Sequence, residues 1–132
     1  MSSPDPPLSN KQLTAAVTDA MVALHQRYYH RIPVTAKTLM LADDLMVCVL
    51  GGVYTDVEKT LIELQRSTTV QETRSAFQTA MQHKFIEAVE RLSGRGVLAF
   101  ISNHHVGPDI EIEIFILKPD RGAKPDDSEI AA

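Results

Sequence analysis

TVQETRSAFQTAMQHKFIEAVERLSGRGVLAFISNHHVGPDIEIEIFILK, Thr69 to Lys118, changes its apolar period once and so decides the fold. In its first half Val70, Thr73, Phe77, Met81, Phe85, Ala88, Val89 and Leu92 recur every three or four residues, the spacing that stacks side chains on one face of a helix. Thr69 and Glu72 have the spacing of a capping box, and Gly94 stands where a left-handed helix stop is wanted. Beyond Gly96 the run Val97 to Ile101 is apolar without a break, as in an interior strand covered on both faces. Ile110, Ile112, Ile114 and Ile116 then alternate with Glu111, Glu113, Phe115 and Leu117, the period of a strand. Asn103 to Asp109, with Gly107 and Pro108, reverses the chain between them, so the two strands pair antiparallel.

The upstream residues repeat this plan in a shorter form. Ser9 with Gln12 makes a capping box flanked by Leu8 and Leu13 as a hydrophobic staple. Leu13, Val17, Ala20, Met21, Leu24 and Tyr28 extend one apolar face, and Pro33 forces the chain out of helix, which predicts a helix over Asn10 to His30. Thr35 to Ala42 reads as a strand, Asp43-Asp44 as a turn, and Leu45 to Leu50 as a second, continuous strand. Thr55 with Glu58 caps a short helix whose Val57, Leu61 and Leu64 point inward. The expected class is therefore α+β, in the order helix, hairpin, helix, helix, hairpin. Four mainly antiparallel strands carry helices on one face. Two helix-plus-hairpin units suggest an internal repeat of architecture.

The 132 residues form one domain, expected over 9–118, between a disordered N-terminus at 1–8 and a disordered acidic tail at 119–132. The single Cys48 excludes an internal disulfide framework and sits in an apolar run as a core thiol. No apolar segment approaches the roughly 18 residues of a membrane span, and no basic-then-apolar leader opens the chain, so a cytoplasmic protein is expected. With 17 acidic against 13 basic residues the net charge is −4, and no basic run is interleaved with aromatics; nucleic acid is not an expected partner.

Assembly of the sheet places Leu45–Leu50 and Val97–Ile101 at its centre, and it leaves the Glu111 and Glu113 side open. Phe115, Leu117, Met40 and Met46 then make that side too apolar for a bare monomer, and a two-fold partner is expected to cover it.

Arg74, Phe77, Gln78, Met81, Phe85, Val89, Glu90 and Leu92, then Gly94, Arg95, Ala99, Phe100, Ser102, Pro108, Asp109, Glu113, Phe115 and Leu117, carry a resemblance to a bacterial family. So do Tyr28 to Arg31, Asp43-Asp44, Gly51 and the helix start Thr55, Glu58, Lys59, Thr60, Leu61. The chain resembles the MpsC-like family, named for a sodium-translocating, membrane-potential-generating system, from about Asn10 to Leu117. Ser93 stands where threonine is usual in the family. The resemblance carries over no catalytic residue. It implies an accessory to a membrane ion system, not the conduit itself.

The residues themselves offer two candidate sites, each with a plainer reading beside it. His104, His105 and Asp109 have metal-ligating chemistry, yet adjacent histidines on a strand point to opposite faces, and a solvated loop accounts for them too. Arg74, Arg91 and Arg95 form an anion site if the helix and hairpin converge, while helix-end charge and an Glu87–Arg91 pair explain them equally. Asp43 and Asp44 read as turn residues in water, and the methionines as core filling. No nucleophile elbow, glycine-rich phosphate loop or cofactor motif is present. The expectation is a non-enzymatic accessory or regulatory protein, without a cofactor, acting by protein–protein contact as a homodimer with a membrane-protein partner. A ligand- or metal-binding sensor using the 103–109 loop is the alternative.

Overall fold

The computed structural model describes residues 8–119, so the expectations of disorder for 1–7 and 120–132 lie outside the described residues. The elements run α1 (Asn10–Tyr29), β1 (Thr35–Ala42), β2 (Leu45–Gly51), α2 (Asp56–Glu63), α3 (Ser67–Ser93), β3 (Val97–His105) and β4 (Ile110–Leu117). The class is α+β, as the apolar periods require: an antiparallel four-stranded sheet in the order β1-β2-β4-β3, with α1 and α3 laid across one face.

Two of the expected helix starts are realised atom by atom. Ser9 accepts from the Gln12 amide while the Gln12 side chain accepts from the Ser9 amide, and Thr55 and Glu58 make the same reciprocal pair. The third is not: α3 begins at Ser67 behind Arg66, with no side-chain cap, and Thr69 lies inside the first turn. The cause is the short link from α2, where Gln65 adopts φ 63° and the Arg66 amide bonds the Leu61 carbonyl, delivering the chain into α3 three residues early. Gly94 ends α3 at φ 68°, whereas α1 ends before Pro33, on His30 at φ 55°.

The core lies between α1, α3 and the inner sheet face, where Val17, Met21, Met46, Cys48, Leu50, Phe85, Val89, Phe115 and Leu117 are buried. Burial pushes the Cys48 thiol up to about 11, in keeping with an inert core group. α2 contributes no buried residue, and the expectation that Val57 and Leu64 point inward is corrected: they are 70% and 66% exposed.

Strand order and facing correct two further expectations. The central strands are β2 and β4, and β3 is an edge, because the two hairpins join through β2 and β4. The polar residues that finish β3, Ser102 to His105, suit that edge. In β4 it is Glu111, Glu113, Phe115 and Leu117 that are buried beneath the helices, together with Met46 on β2. The open face is the opposite one, formed by Leu39, Leu41, Val47, Val49, Ile101, Ile110, Ile112, Ile114 and Ile116, with Lys37 toward its rim. Among the described residues the sheet does leave an apolar side uncovered, but the phase of β4 is the reverse of that expected. The isoleucines lose the inner position because the helices bring polar partners for Glu111, and Glu113 follows it inward two residues on.

Candidate functional site

A strand of period two that buries Phe115 and Leu117 also buries Glu113 and Glu111, and these are 0% and 1% exposed. Buried carboxylates need donors. α3 supplies them with Arg74, which falls in phase with Val70 and Met81 on its buried stripe and is itself 1% exposed. The guanidinium makes a fork with Glu58: Nε donates to Oε2 and Nη2 to Oε1, both at 2.7 Å. Nη2 also donates to the Val53 carbonyl at 2.7 Å, and Nη1 to Glu111 Oε1 at 3.3 Å. The rings of Tyr29 and Tyr54 lie 5.1 Å from the guanidinium carbon, so the cation is also held by two π faces. Glu58 thereby serves twice, since its Oε1 also caps α2 through the Thr55 amide. Burial raises its pKa, and the hydrogen bonds from Arg74 and Thr55 outweigh this and hold it below the usual carboxylate range.

α1 reaches the same carboxylate from the other side. His25, 1% exposed, sits with Nε2 2.7 Å from Glu111 Oε2 and Nδ1 2.8 Å from the Met21 carbonyl. A carbonyl oxygen accepts and never donates, so Nδ1 carries a hydrogen. One more hydrogen then lies between Nε2 and Oε2, whichever of the two atoms it is assigned to. Glu111 also accepts from Gln78 Nε2 at 3.4 Å. Burial opposes its ionisation, but the hydrogen bond and charge of His25, with the charge of Arg74, bring its pKa down to about 2. Glu113 is the contrast. Among the described residues neither of its oxygens finds a partner in hydrogen-bond geometry, although Ser102 lies beside it, and burial next to Glu111 holds its pKa well above the carboxylate range.

A satellite cluster closes the end of the network. Asp109 Oδ2 accepts from the Tyr54 amide at 2.9 Å, and the Tyr54 hydroxyl lies 3.2 Å from His104 Nδ1 and donates to the His105 carbonyl at 3.3 Å. His104 Nε2 and Asp109 Oδ1 are buried, lack hydrogen-bond partners among the described residues and face each other at 3.7 Å. Burial, then the nearby Arg74 charge, lowers the His104 pKa.

Of the residues singled out from sequence, His104 and Asp109 come together on the helix side. His105 does not join them: it pairs with Ile110 on the open face, and its Nδ1 lies 3.0 Å from the Pro108 carbonyl. Among the described residues no group of three or more His, Cys, Asp or Glu side chains is placed to hold a metal ion. The three arginines do not converge. Arg74 is committed to Glu58 and Glu111, Arg91 lies about 25 Å further along the helix by its rise per residue, and Arg95 donates to the Lys118 and Asp43 carbonyls at 2.8 and 2.7 Å, pinning the β1–β2 turn to the end of β4. His25 and the pairing of Arg74 with Glu111 escaped sequence reading, although the signal was there. Leu13, Val17, Met21, His25 and Tyr29 repeat every four residues. A titratable residue in phase with a buried stripe is one that a partner elsewhere in the chain must meet.

A two-layer α+β domain, with a buried ion network sewing three helices to one strand and an uncovered apolar sheet face, is thus the class of protein at hand. A family model described as Na+-translocating membrane potential-generating system (MpsC) matches residues 9–119, and the chain belongs to that family. No curated protein and no solved structure matches it.

Proposed function

We propose that this protein is a soluble, cytoplasmic, non-enzymatic accessory or regulatory protein that works by protein–protein contact, as a homodimer, on a membrane ion- or solute-translocating system. The observation that carries this reading is the open face of the sheet. Leu39, Leu41 and Ile101 there are 46%, 61% and 52% exposed, and the isoleucines of β4 lie between them. Apolar surface gathered on one flat face marks an interface. The family description points the contact toward a membrane system, and among the described residues no helix is long and apolar enough to cross a membrane, which suits an accessory. Its non-enzymatic character is supported by the commitment of Arg74, Glu58, Glu111 and His25 to one another in the interior.

Magnitudes bear on the dimer. Covering the partly exposed aliphatic side chains of this face gains on the order of 5 to 10 kcal/mol for each copy. Lost rigid-body freedom takes about 4 to 15 kcal/mol, so the association is concentration-dependent and one charge on the face abolishes it. Sedimentation equilibrium is the test. Wild-type chain is expected at twice the monomer mass at tens of micromolar, and Ile114→Lys at the monomer mass with its helical circular dichroism intact. A wild-type monomer at that concentration overturns the dimer. Membranes of the native host are expected to retain the wild type above an unrelated acidic protein and to release Ile114→Lys, and equal retention of all three overturns the contact with a membrane system.

A second reading has its own observation. His104 Nε2 and Asp109 Oδ1, 3.7 Å apart and without hydrogen-bond partners among the described residues, are two acceptors that a cation or a donor group would satisfy, as a sensor would require. Calorimetric titration with divalent ions and common anions is expected to show heat that His104→Ala removes, and a flat trace for the wild type eliminates this reading.

A further inference from the structure

The α3–β3 seam combines a buried acid without partners and a polar cleft leading to it. Glu113 is 0% exposed, and its neighbours across the sheet are Ser102 on β3 and Cys48 on β2. Ser102 Oγ is likewise buried and unpartnered. Among the described residues the groups around this carboxyl offer it no cation. Glu111, two residues back on the same face, is an anion; Cys48 is held as a thiol by burial; Tyr29 of α1 has its pKa raised by burial and by Glu111. Arg74 of α3 is taken by Glu58 and Glu111, and His25 of α1 by Glu111. Outside Ser102 lies a cavity of about 260 Å³ between α3 and β3, lined by Ser75, Gln78, Thr79, Gln82, Phe100 and Ser102. Gln78 and Ser102 belong to both places: each lines the cleft, while Gln78 donates to Glu111 and Ser102 is the cross-strand neighbour of Glu113.

We propose that Glu113 is a proton-controlled gate on the α3–β3 seam: with its proton the seam is closed over the core, and loss of the proton draws water through the Gln78–Ser102 cleft and loosens α3 from β3. The physical reason is an accounting of donors. A neutral carboxyl tolerates an interior position far better than an anion does, and an anion beside Glu111 demands more hydrogen bonds than the single Ser102 hydroxyl next to it can supply. Water is the donor available, and the polar cleft is its way in. The chemistry involved is a single proton leaving the carboxyl for solvent. This gate needs nothing from the open face and stands or falls separately from the dimer.

Hydrogen exchange read by mass spectrometry on the full chain tests it, at pH 6.5 and pH 9, with the intrinsic pH dependence of exchange divided out. Protection over residues 75–85 and 97–103 is expected to fall about tenfold or more at the higher pH in the wild type, while Glu113→Gln keeps its protection at both. Equal corrected protection at the two pH values overturns the gate, as does the same loss in Glu113→Gln. A second measurement needs no variant: the side-chain carboxyl carbon of Glu113, followed by NMR, is expected at the chemical shift of a protonated acid at pH 6.5. An ionised-carboxylate shift there overturns the proposal whatever the exchange shows.

Discussion

Arg74 is the residue on which the interior polar network turns, because it is the cation that meets the buried Glu111 and the partly buried Glu58 from different elements. Removing one partner of a buried pair leaves the others uncompensated, which costs about 3 to 5 kcal/mol. Arg74→Met is therefore expected to lower urea-unfolding stability by about that amount. Arg74→Lys recovers little of it, since an ammonium has no fork to give Glu58 and Val53 at once. The two glutamates of β4 pull the pH profile in opposite directions. Glu111, brought from 4.5 to about 2, adds stability that is present above pH 4.5 and lost as pH falls toward 2. Glu113, raised above 4.5, has the reverse sign: its contribution is intact below pH 4.5 and is lost as pH rises toward its folded value. Thermal melts from pH 5 to pH 8 are expected to decline in the wild type and to be flatter and higher in Glu113→Gln. Parallel curves for the two would show that Glu113 does not hold its proton in the folded state.

Elements were legible where local chemistry fixes them and illegible where the partner lies far along the chain. The bounds of β1 and the starts of α1 and α2 follow from turn residues and capping boxes within four positions of each other. The start of α3 did not follow, because the Gln65–Arg66 turn overrode a cap of correct spelling at Thr69 and Glu72. This difference is measurable. Ser9→Ala is expected to destabilise by about 1 kcal/mol, since its hydroxyl answers the Gln12 amide. Thr69→Ala, deprived of any capping role, is expected within about 0.5 kcal/mol of wild type. Chemical denaturation of both variants decides it, and equal losses would restore the cap to Thr69. The facing of β4 failed for a related reason. Judged by hydrophobicity alone, four isoleucines outbid two glutamates for the core. Arg74 lies 37 residues from Glu111 and His25 lies 86, so the phase of each on its own helix stripe announces a buried partner without saying that it is Glu111.

At the scale of the molecule, two helix-plus-hairpin units place β2 and β4 side by side and antiparallel, with β1 and β3 as matching edges. That arrangement is what a two-fold relation between the units produces, and it spreads the apolar residues of all four strands over one flat face. What holds such a face to another is a question of sign. Each chain carries a net charge of −4, so two copies repel over the distance at which salt screens them, whereas burial of isoleucine, leucine and valine is not weakened by sodium chloride. Dimer association is therefore expected to tighten several-fold between 20 and 500 mM NaCl, followed by sedimentation across a dilution series at each salt concentration. Weakening over that range would mean that ion pairs at the rim, Lys37 foremost, hold the copies together, and the aliphatic face would lose its standing as the source of the contact.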